Sequence, residues 1–298
     1  MSSAAKSIQS TMRGELADFL RRRRADLAPA VVGLRSGERR RTPGLRRDEV
    51  ARLANMSTNY YERLEQGRGP QPSAAILAGL ATALRLDADE RGYLYRLAGH
   101  AAPAVARPRG YVDPRLLSVM RAVSATSPAF VSDDLATIVA QNDLHVALFD
   151  RVTGLDGWAG NLFWNWFVSR RWRHRVLATP AQQADIGRAY VAYLRVAVAQ
   201  REYDPAATAL VAALRAGSAE FARMWDEHRV SASYSSAVTV LDERVGRLDF
   251  DYALTVSSQS RQRLHSLHAV PGTSTQERLA RLGELARDSA IHVSTVPG

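Results

Sequence analysis

Residues 46–73 read "RRDEVARLANMSTNYYERLEQGRGPQPS", and this stretch predicts two short amphipathic helices set either side of a tight break. Val50 and Leu53 fall on one face of the first, and Ala51 is small where a second helix must cross closely. Asn55 suits the break because asparagine, like glycine, tolerates the left-handed conformation that a tight turn needs. Met56 is placed to plug the turn. Ser57 then stands at the N-cap of the second helix, Tyr61 and Leu64 face inward, and Gly67 stops it. Left pointing outward are Thr58, Asn59, Tyr60, Glu62 and Arg63, most of them near the leading end of that helix.

The surroundings of this element are basic. The chain of 298 residues carries a formal charge of +10, and residues 1–110 hold 20 Lys+Arg against 11 Asp+Glu. The remaining 188 residues are nearly balanced, with 20 against 19. A charge excess confined to one end points to a polyanion partner for that end, although a merely solvated basic face would look the same by charge alone. Cysteine is absent, which excludes disulfides, thiolate catalysis and cysteine-ligated zinc, and fits a reducing cytoplasm. No apolar run approaches the roughly 18 residues of a membrane span, and no export signal is read at the start, so the expectation is a cytoplasmic protein with no membrane partner.

Other short helices flank the opening stretch. Leu16, Phe19 and Leu20 recur at helical spacing over 13–25, and "RRRR" at 21–24 suits a helix C-terminus. Ser73 is an N-cap before Ile76, Leu77, Leu80 and Leu84, and Asp87 with Glu90 makes a reciprocal capping pair ahead of Tyr93, Leu94 and Leu97. Five helices thus precede residue 99, giving an all-α domain over 1–100. Residues 101–113, rich in proline and without periodicity, read as a linker. The rest, 114–298, reads as α+β. "AFVSDDLATIVAQN" (129–142) predicts two strands about Asp133–Asp134, and helical patterning runs from about 143 to 228. On one helix Ile186, Tyr190, Tyr193, Leu194 and Ala197 share a face, as do Phe221, Met224, Trp225 and His228 on another. "VGRLDFDYALTVSS" alternates with Leu248, Phe250, Tyr252, Leu254 and Val256 on one side, as a half-buried antiparallel strand does. Strands at 235–241 and 262–270 and a closing helix at 275–286 complete the plan.

The outward side chains of the second short helix suit nucleic-acid bases. Asparagine can hold adenine through two hydrogen bonds, arginine can do the same for guanine, and a threonine methyl can touch thymine. An ordinary helix pair in a bundle core is the competing reading, and it leaves the exposed Asn and Arg beside a basic loop without a role. The spacing, the small residue, the turn and the closing "LEQG" together resemble the helix-turn-helix of XRE/lambda-repressor-like proteins. That resemblance implies base reading by Thr58, Asn59, Arg63 and Tyr60, with Arg46, Arg47, Ser57, Gln66 and Arg68 on phosphates, where contacts set register rather than sequence choice. The loop "ERRRTPGLRR" is longer than in a generic domain of this kind. Its Arg39, Arg40 and Arg41 either follow the DNA backbone, reach into a narrow minor groove, or attract DNA as an unstructured basic loop.

Over nearly its whole length the chain is similar to MmyB-like transcription regulators. The likeness is strongest in "RRRTPGLRRDEVARLANMSTNYYERLEQGRGPQPS" and "LRLDADERGYLYRLAGH", and it continues in "FVSDDLATIVAQND", "GNLFWNWF", "SAEFARMWDEHRV", "VGRLDFDYALTV" and "VPGTST". It implies a bacterial, nucleoid-associated regulator whose C-terminal domain has a PAS-like antiparallel sheet with helices and can enclose an apolar, fatty-acid-like ligand. "SSAVTVLDERVGRLDF" and the basic "SRRWRHRV" depart from the family pattern. Phe130, Val139, Phe163, Trp164, Phe167, Tyr193, Trp225, Phe250 and Tyr252 are candidates to line such a cavity, with plain core packing as the alternative for each. Asn142, Asn161 and His228 are candidate polar contacts, against capping roles or a satisfied core histidine.

Catalytic signatures are missing: there is no G-x-S-x-G, H-E-x-x-H, phosphate loop or dinucleotide-binding G-x-G-x-x-G. His265 and His268 face opposite sides of a strand, so no metal site is expected, and Asp249 with Asp251 reads as a solvated strand face rather than a catalytic carboxylate pair. The expected protein is a non-enzymatic regulator without a cofactor, binding a palindromic double-stranded operator as a homodimer. The alternative keeps DNA binding and makes the C-terminal half a protein-interaction module with no small-molecule ligand.

Overall fold

The computed structural model describes residues 3–34, 42–100, 108, 110–230 and 237–294, without the side chains of 3–6, 8 and 289–294. Arg39, Arg40 and Arg41 lie outside the described residues. The chain divides into two compact units, Met1–Val105 and Ala106–Gly298.

The first unit is helical: α1 (Ser3–Asp26), a 3-10 turn (Pro29–Val32), α2 (Arg47–Leu53), α3 (Thr58–Glu65), α4 (Ala74–Ala83) and α5 (Ala88–Leu97). Helix α1 begins ten residues ahead of the expected start at Arg13. Residues 3–12 contain no Gly or Pro, and Ser7, Gln9, Ser10 and Thr11 are exposed, so this part of the helix offers no apolar stripe to read. Leu16, Leu20, Leu45, Val50, Tyr61, Leu64, Leu77, Leu80 and Leu94 form the core. Helix α4 approaches α2 through Gly79, where a Cβ would stand 2.8 Å from the carbonyl oxygen of Ala54.

The second unit is α+β. Its order is α6 (Pro114–Ala122), β1 (Ala129–Ser132), β2 (Ile138–Gln141), α7 (Asp143–Phe149), α8 (Leu162–Phe167), α9 (Pro180–Gln200), α10 (Pro205–Gly217), α11 (Ala219–Asp226), β3 (Ala237–Asp242), β4 (Gly246–Val256), β5 (Arg263–Ala269) and α12 (Thr275–Ser294). The five strands form one antiparallel sheet in the order β2-β1-β5-β4-β3. Alternation along the strands divides the core in two. Phe130, Val240, Leu248 and Phe250 face the larger helical layer, while Ala129, Val131 and Leu264 face Leu116 and Met120 of α6. The turn between β1 and β2 is held by Asp133, whose Oδ1 accepts from the backbone N–H of Leu135 at 3.0 Å and of Thr137 at 2.7 Å.

The alternation of β4 is real but only partly buried. Leu248 and Phe250 are enclosed, whereas Leu254 is 39% and Val256 54% exposed. On the other side Asp249 is paired with Arg247 and accepts from Thr239, and Asp251 is exposed, as the reading of a solvated strand face expects. Among the described residues no helix is long and apolar enough to cross a membrane, and no cluster of potential metal ligands occurs.

Candidate DNA interface and ligand cavity

The turn between α2 and α3 is built by local chemistry. Asn55, at φ 53°, donates its N–H to Arg52 at 3.2 Å, and Met56 donates to Ala51 at 2.9 Å, so two end carbonyls of α2 are satisfied. Ser57 Oγ accepts from the Tyr60 N–H at 3.2 Å and caps α3. The far end repeats the device with Gly67 at φ 66°, where Gly67 donates to Leu64 at 3.0 Å and Arg68 to Arg63 at 2.8 Å. Tyr61 and Leu64 are buried, fixing the inner face of α3. Thr58, Asn59 and Arg63 are exposed on the outer face. The Arg63 guanidinium lies beside Gly69, at ordinary contact distance from where a Cβ would be. Tyr60 is half-buried against the core, which leaves one edge of its ring to a partner.

The residues flanking α3 divide into two kinds. Arg46, Gln66 and Arg68 are exposed, and the Arg46 N–H donates to Glu49 at 2.6 Å to open α2. Arg47 is exposed as well but is ion-paired: its Nε donates to the buried Glu65 carboxylate at 2.8 Å, and its Nη1 lies 3.6 Å from Glu62. Arg24 of α1 completes this cluster, donating to both oxygens of Glu65 at 2.6 and 3.2 Å. Burial alone would raise the Glu65 pKa, but the bonds from Arg24 and Arg47 outweigh it and hold the carboxyl below its ordinary value. Glu65 therefore ties α1, α2 and α3 together. Sequence reasoning missed it because one of its two partners lies 41 residues away.

In the second unit a cavity of about 380 Å³ opens between the sheet and the helices. Phe130, Tyr252, His265 and Leu267 come from the sheet, and His145 and Phe149 from α7. Leu162 and Trp166 of α8, Trp172, and Ile186 and Tyr190 of α9 complete the apolar walls, with Gln182, Asp185 and Thr239 as polar members. The Phe130 ring stacks on His265 at 4.2 Å and lies 4.8 Å from His145. Burial drives both histidines from their ordinary range down to about 3, with the nearby Arg263 assisting at His265, so both are neutral. Trp172 is locked as a wall by its indole N–H, which donates to the Phe149 carbonyl at 2.9 Å. The fold provides a partly open, mostly apolar cavity with few polar groups, the form of a small-molecule site.

Two family models match this chain. A helix-turn-helix domain matches residues 15–94, and the MmyB-like transcription regulator ligand binding domain matches residues 112–282, more than half of the chain. The chain belongs to the MmyB-like transcription regulators. No curated protein matches it significantly. This MmyB-like regulator is thus a DNA-binding transcription regulator with a ligand-binding domain, and neither matched family is enzymatic.

Within the MmyB-like domain only Phe130 and Tyr252, of the candidate ligand contacts read from sequence, line the cavity. Phe163, Phe167 and Phe250 are buried core, Trp164 packs against that core, and Val139 packs toward α6. Tyr193 donates its hydroxyl to the Asp134 carbonyl at 3.2 Å and carries Arg263 over its ring. Trp225 stacks on Phe221 and is covered by Arg195. His228 is neither a cavity contact nor a core histidine: it is exposed past the end of α11, with Nδ1 3.2 Å from Arg195. Asn142 and Asn161 are helix caps. Asn142 Oδ1 accepts from Ala129 and His145, and Asn161 Oδ1 accepts from Phe163 and Trp164. The cavity residues that sequence reasoning missed include His145, Trp166, Trp172 and His265. Their contacts are between elements, and the only available signal was the shared face of Ile186 and Tyr190.

Proposed function

We propose that this regulator reads a palindromic operator as a homodimer and that its C-terminal domain responds to an apolar, fatty-acid-like molecule. The exposure of Thr58, Asn59 and Arg63 on a helix whose opposite face is buried carries the DNA half of this reading. Those side chains meet base edges when α3 enters the major groove, while Arg46, Gln66 and Arg68 take phosphates. Arg47 orients α3 through Glu65 and reaches phosphate only with the part of its guanidinium that the carboxylates leave exposed. One short helix reads few base pairs, so a two-fold dimer multiplies selectivity, with half-sites about 34 Å apart. The protein acts where the chromosome is, in the cytoplasm.

The cavity supports the ligand half. Its walls offer about 380 Å³ of mostly apolar space, room for a medium-length hydrocarbon chain. Occupancy alters operator affinity only if the bound and free forms hold the two reading heads at different spacings. A second reading, a protein-interaction module without a small molecule, is favoured by the exposed apolar end of β4 at Leu254 and Val256. Footprinting on fragments selected from random DNA tests the first half: two protected half-sites in inverted repeat are expected, and protection without sequence preference would overturn it. Native mass spectrometry of gently purified protein separates the two readings of the second half. An added mass of a few hundred daltons supports the ligand, and an unliganded mass together with a captured protein partner supports the module.

A further inference from the structure

The stretch read as a linker, 101–113, ends on a buried polar cluster of the second unit. Asp113, 2% exposed, caps α6 with one carboxylate oxygen: its Oδ1 accepts from the Arg115 N–H at 3.0 Å. The other oxygen is committed to the turn between β4 and β5, where Oδ2 accepts from the hydroxyls of Ser257 at 2.6 Å and Ser260 at 2.8 Å. Burial alone would raise the pKa of this carboxyl, but the bonds from Ser257, Ser260 and the Arg115 N–H outweigh it and hold it below the ordinary value. Gln262 completes the cluster from the β5 end of the turn. It is 6% exposed, its Oε1 accepts from the Asp113 N–H at 2.7 Å, and its NH2 group donates to the Tyr111 carbonyl at 2.6 Å. A side-chain amide thus pairs with the main chain of 111 and 113 much as a neighbouring strand would.

This is more than a cap requires. One acceptor satisfies the helix end, and an uncharged Ser, Thr or Asn supplies it without burying a charge. The second oxygen and the glutamine instead tie the start of the second unit to a single hairpin, and that hairpin is a wall of the cavity. Tyr252 of β4 and His265 and Leu267 of β5 line it, and the Tyr252 hydroxyl is bonded to His265 Nδ1 at 2.8 Å. Beyond Tyr252 the ladder runs to Val256, paired with Arg263, and the cluster follows at once. Leu254 and Val256 at this end are exposed, so no packing on that face opposes a shift of the hairpin. On the opposite face Leu264 packs with Leu116, Met120 and Val112, so α6 and the residue before Asp113 follow β5.

Resting on the ligand-responsive reading above, we propose that the cluster of Asp113, Ser257, Ser260 and Gln262 is the joint that passes the state of the cavity to the DNA-binding unit. A molecule that displaces Tyr252 or His265 moves the hairpin they belong to. The four bonds that bind Tyr111 and Asp113 to its turn oblige the chain there to move with it. Coupling energy then crosses a short hydrogen-bonded path from the cavity wall to the chain that leads to the reading head. Breaking this path separates the two functions without removing either.

Two variants of the full chain sever the joint at different bonds: Gln262→Leu, and Ser257→Ala combined with Ser260→Ala. Decanoate is the probe, its binding followed by tryptophan fluorescence. Affinity for an operator selected from random DNA is measured with and without it. In the wild type decanoate is expected to change operator affinity about fivefold or more. Both variants should bind decanoate within about twofold of the wild type, while its effect on operator affinity falls below about twofold. Hydrogen exchange at the Asp113 amide should quicken in Gln262→Leu, as the loss of its acceptor requires. A merely structural cluster would lower the denaturation midpoint yet leave the fivefold effect in place. That result would overturn the proposal and spare the ligand-responsive reading. Loss of decanoate binding in both variants would also overturn it, because the cluster would then be holding the cavity wall itself. Decanoate that fails to bind the wild type, or binds it without changing operator affinity, would remove the ligand-responsive reading and this inference together.

Discussion

Glu65 is the residue on which the geometry of the reading head turns, because a buried carboxylate holds arginines from two other helices. Removing it leaves Arg24, only 17% exposed at its side chain, without its countercharge. Glu65→Ala should therefore lower the stability of the first unit by about 2–3 kcal/mol, a figure reduced from that of a fully buried pair because Arg47 is partly solvated. Chemical denaturation checks this, and a loss within experimental error would show that the cluster only decorates the surface. Ser57→Ala removes a cap and should cost about 1 kcal/mol. The two sites differ in how they could be read. Asn55, Ser57 and Gly67 act through bonds to residues within five positions, so their roles are legible in the chain. Glu65 acts across the fold, and in the sequence it is one more acidic residue near a helix end.

Helix α3 is the element whose exposed face the DNA account needs, and its inner face was legible because Tyr61 and Leu64 keep helical spacing. Its flanks make a discriminating pair. Arg46 and Arg47 are both exposed, but Arg47 is also held by Glu65 and Glu62. Arg46→Ala should reduce the salt slope of operator affinity by about one and leave folding stability unchanged. Arg47→Ala should act mainly by weakening the packing of α2 on α3, seen as a lower denaturation midpoint. Equal salt-slope effects from both substitutions would contradict this division. Strand β4 teaches the converse lesson. Its alternation placed Leu254 and Val256 with the core, yet period-2 patterning carries no information about where along a strand burial stops. The cavity was illegible for a related reason: a wall residue and a core residue have the same apolar spacing, and only the packing of α7, α8 and α9 over the sheet separates Trp166 from Phe167.

At the scale of the whole molecule, the buried neutral histidines make stability depend on pH. Burial lowers the folded-state pKa of His145 and His265 to about 3, from an ordinary 6.5. Below 6.5 the unfolded chain takes up protons that the folded unit refuses, so the stability present above 6.5 is lost as pH falls toward 3. Each histidine contributes a slope of about 1.4 kcal/mol per pH unit once well below 6.5. Between pH 7 and pH 5.5 the two histidines should together remove about 2–3 kcal/mol of the second unit's stability, partly offset by Asp133, whose pKa burial raises to about 6. In unfolding followed by tryptophan fluorescence, replacing one histidine with Phe should remove about half of the histidine contribution. A flat profile would show that the imidazoles are charged or solvated.

Assignment of the chain to DNA-binding regulators rests on the family matches at both ends, and the account of how it chooses a sequence rests on α3. The most direct test of that account is operator affinity measured over every single base-pair substitution, for the wild type and for Arg63→Ala. The expected result is a loss of about 1–3 kcal/mol on the preferred site, with discrimination relaxed at one base pair in each half-site and kept elsewhere. A loss spread evenly over all sequences would place Arg63 on the phosphate backbone and contradict base reading by this helix.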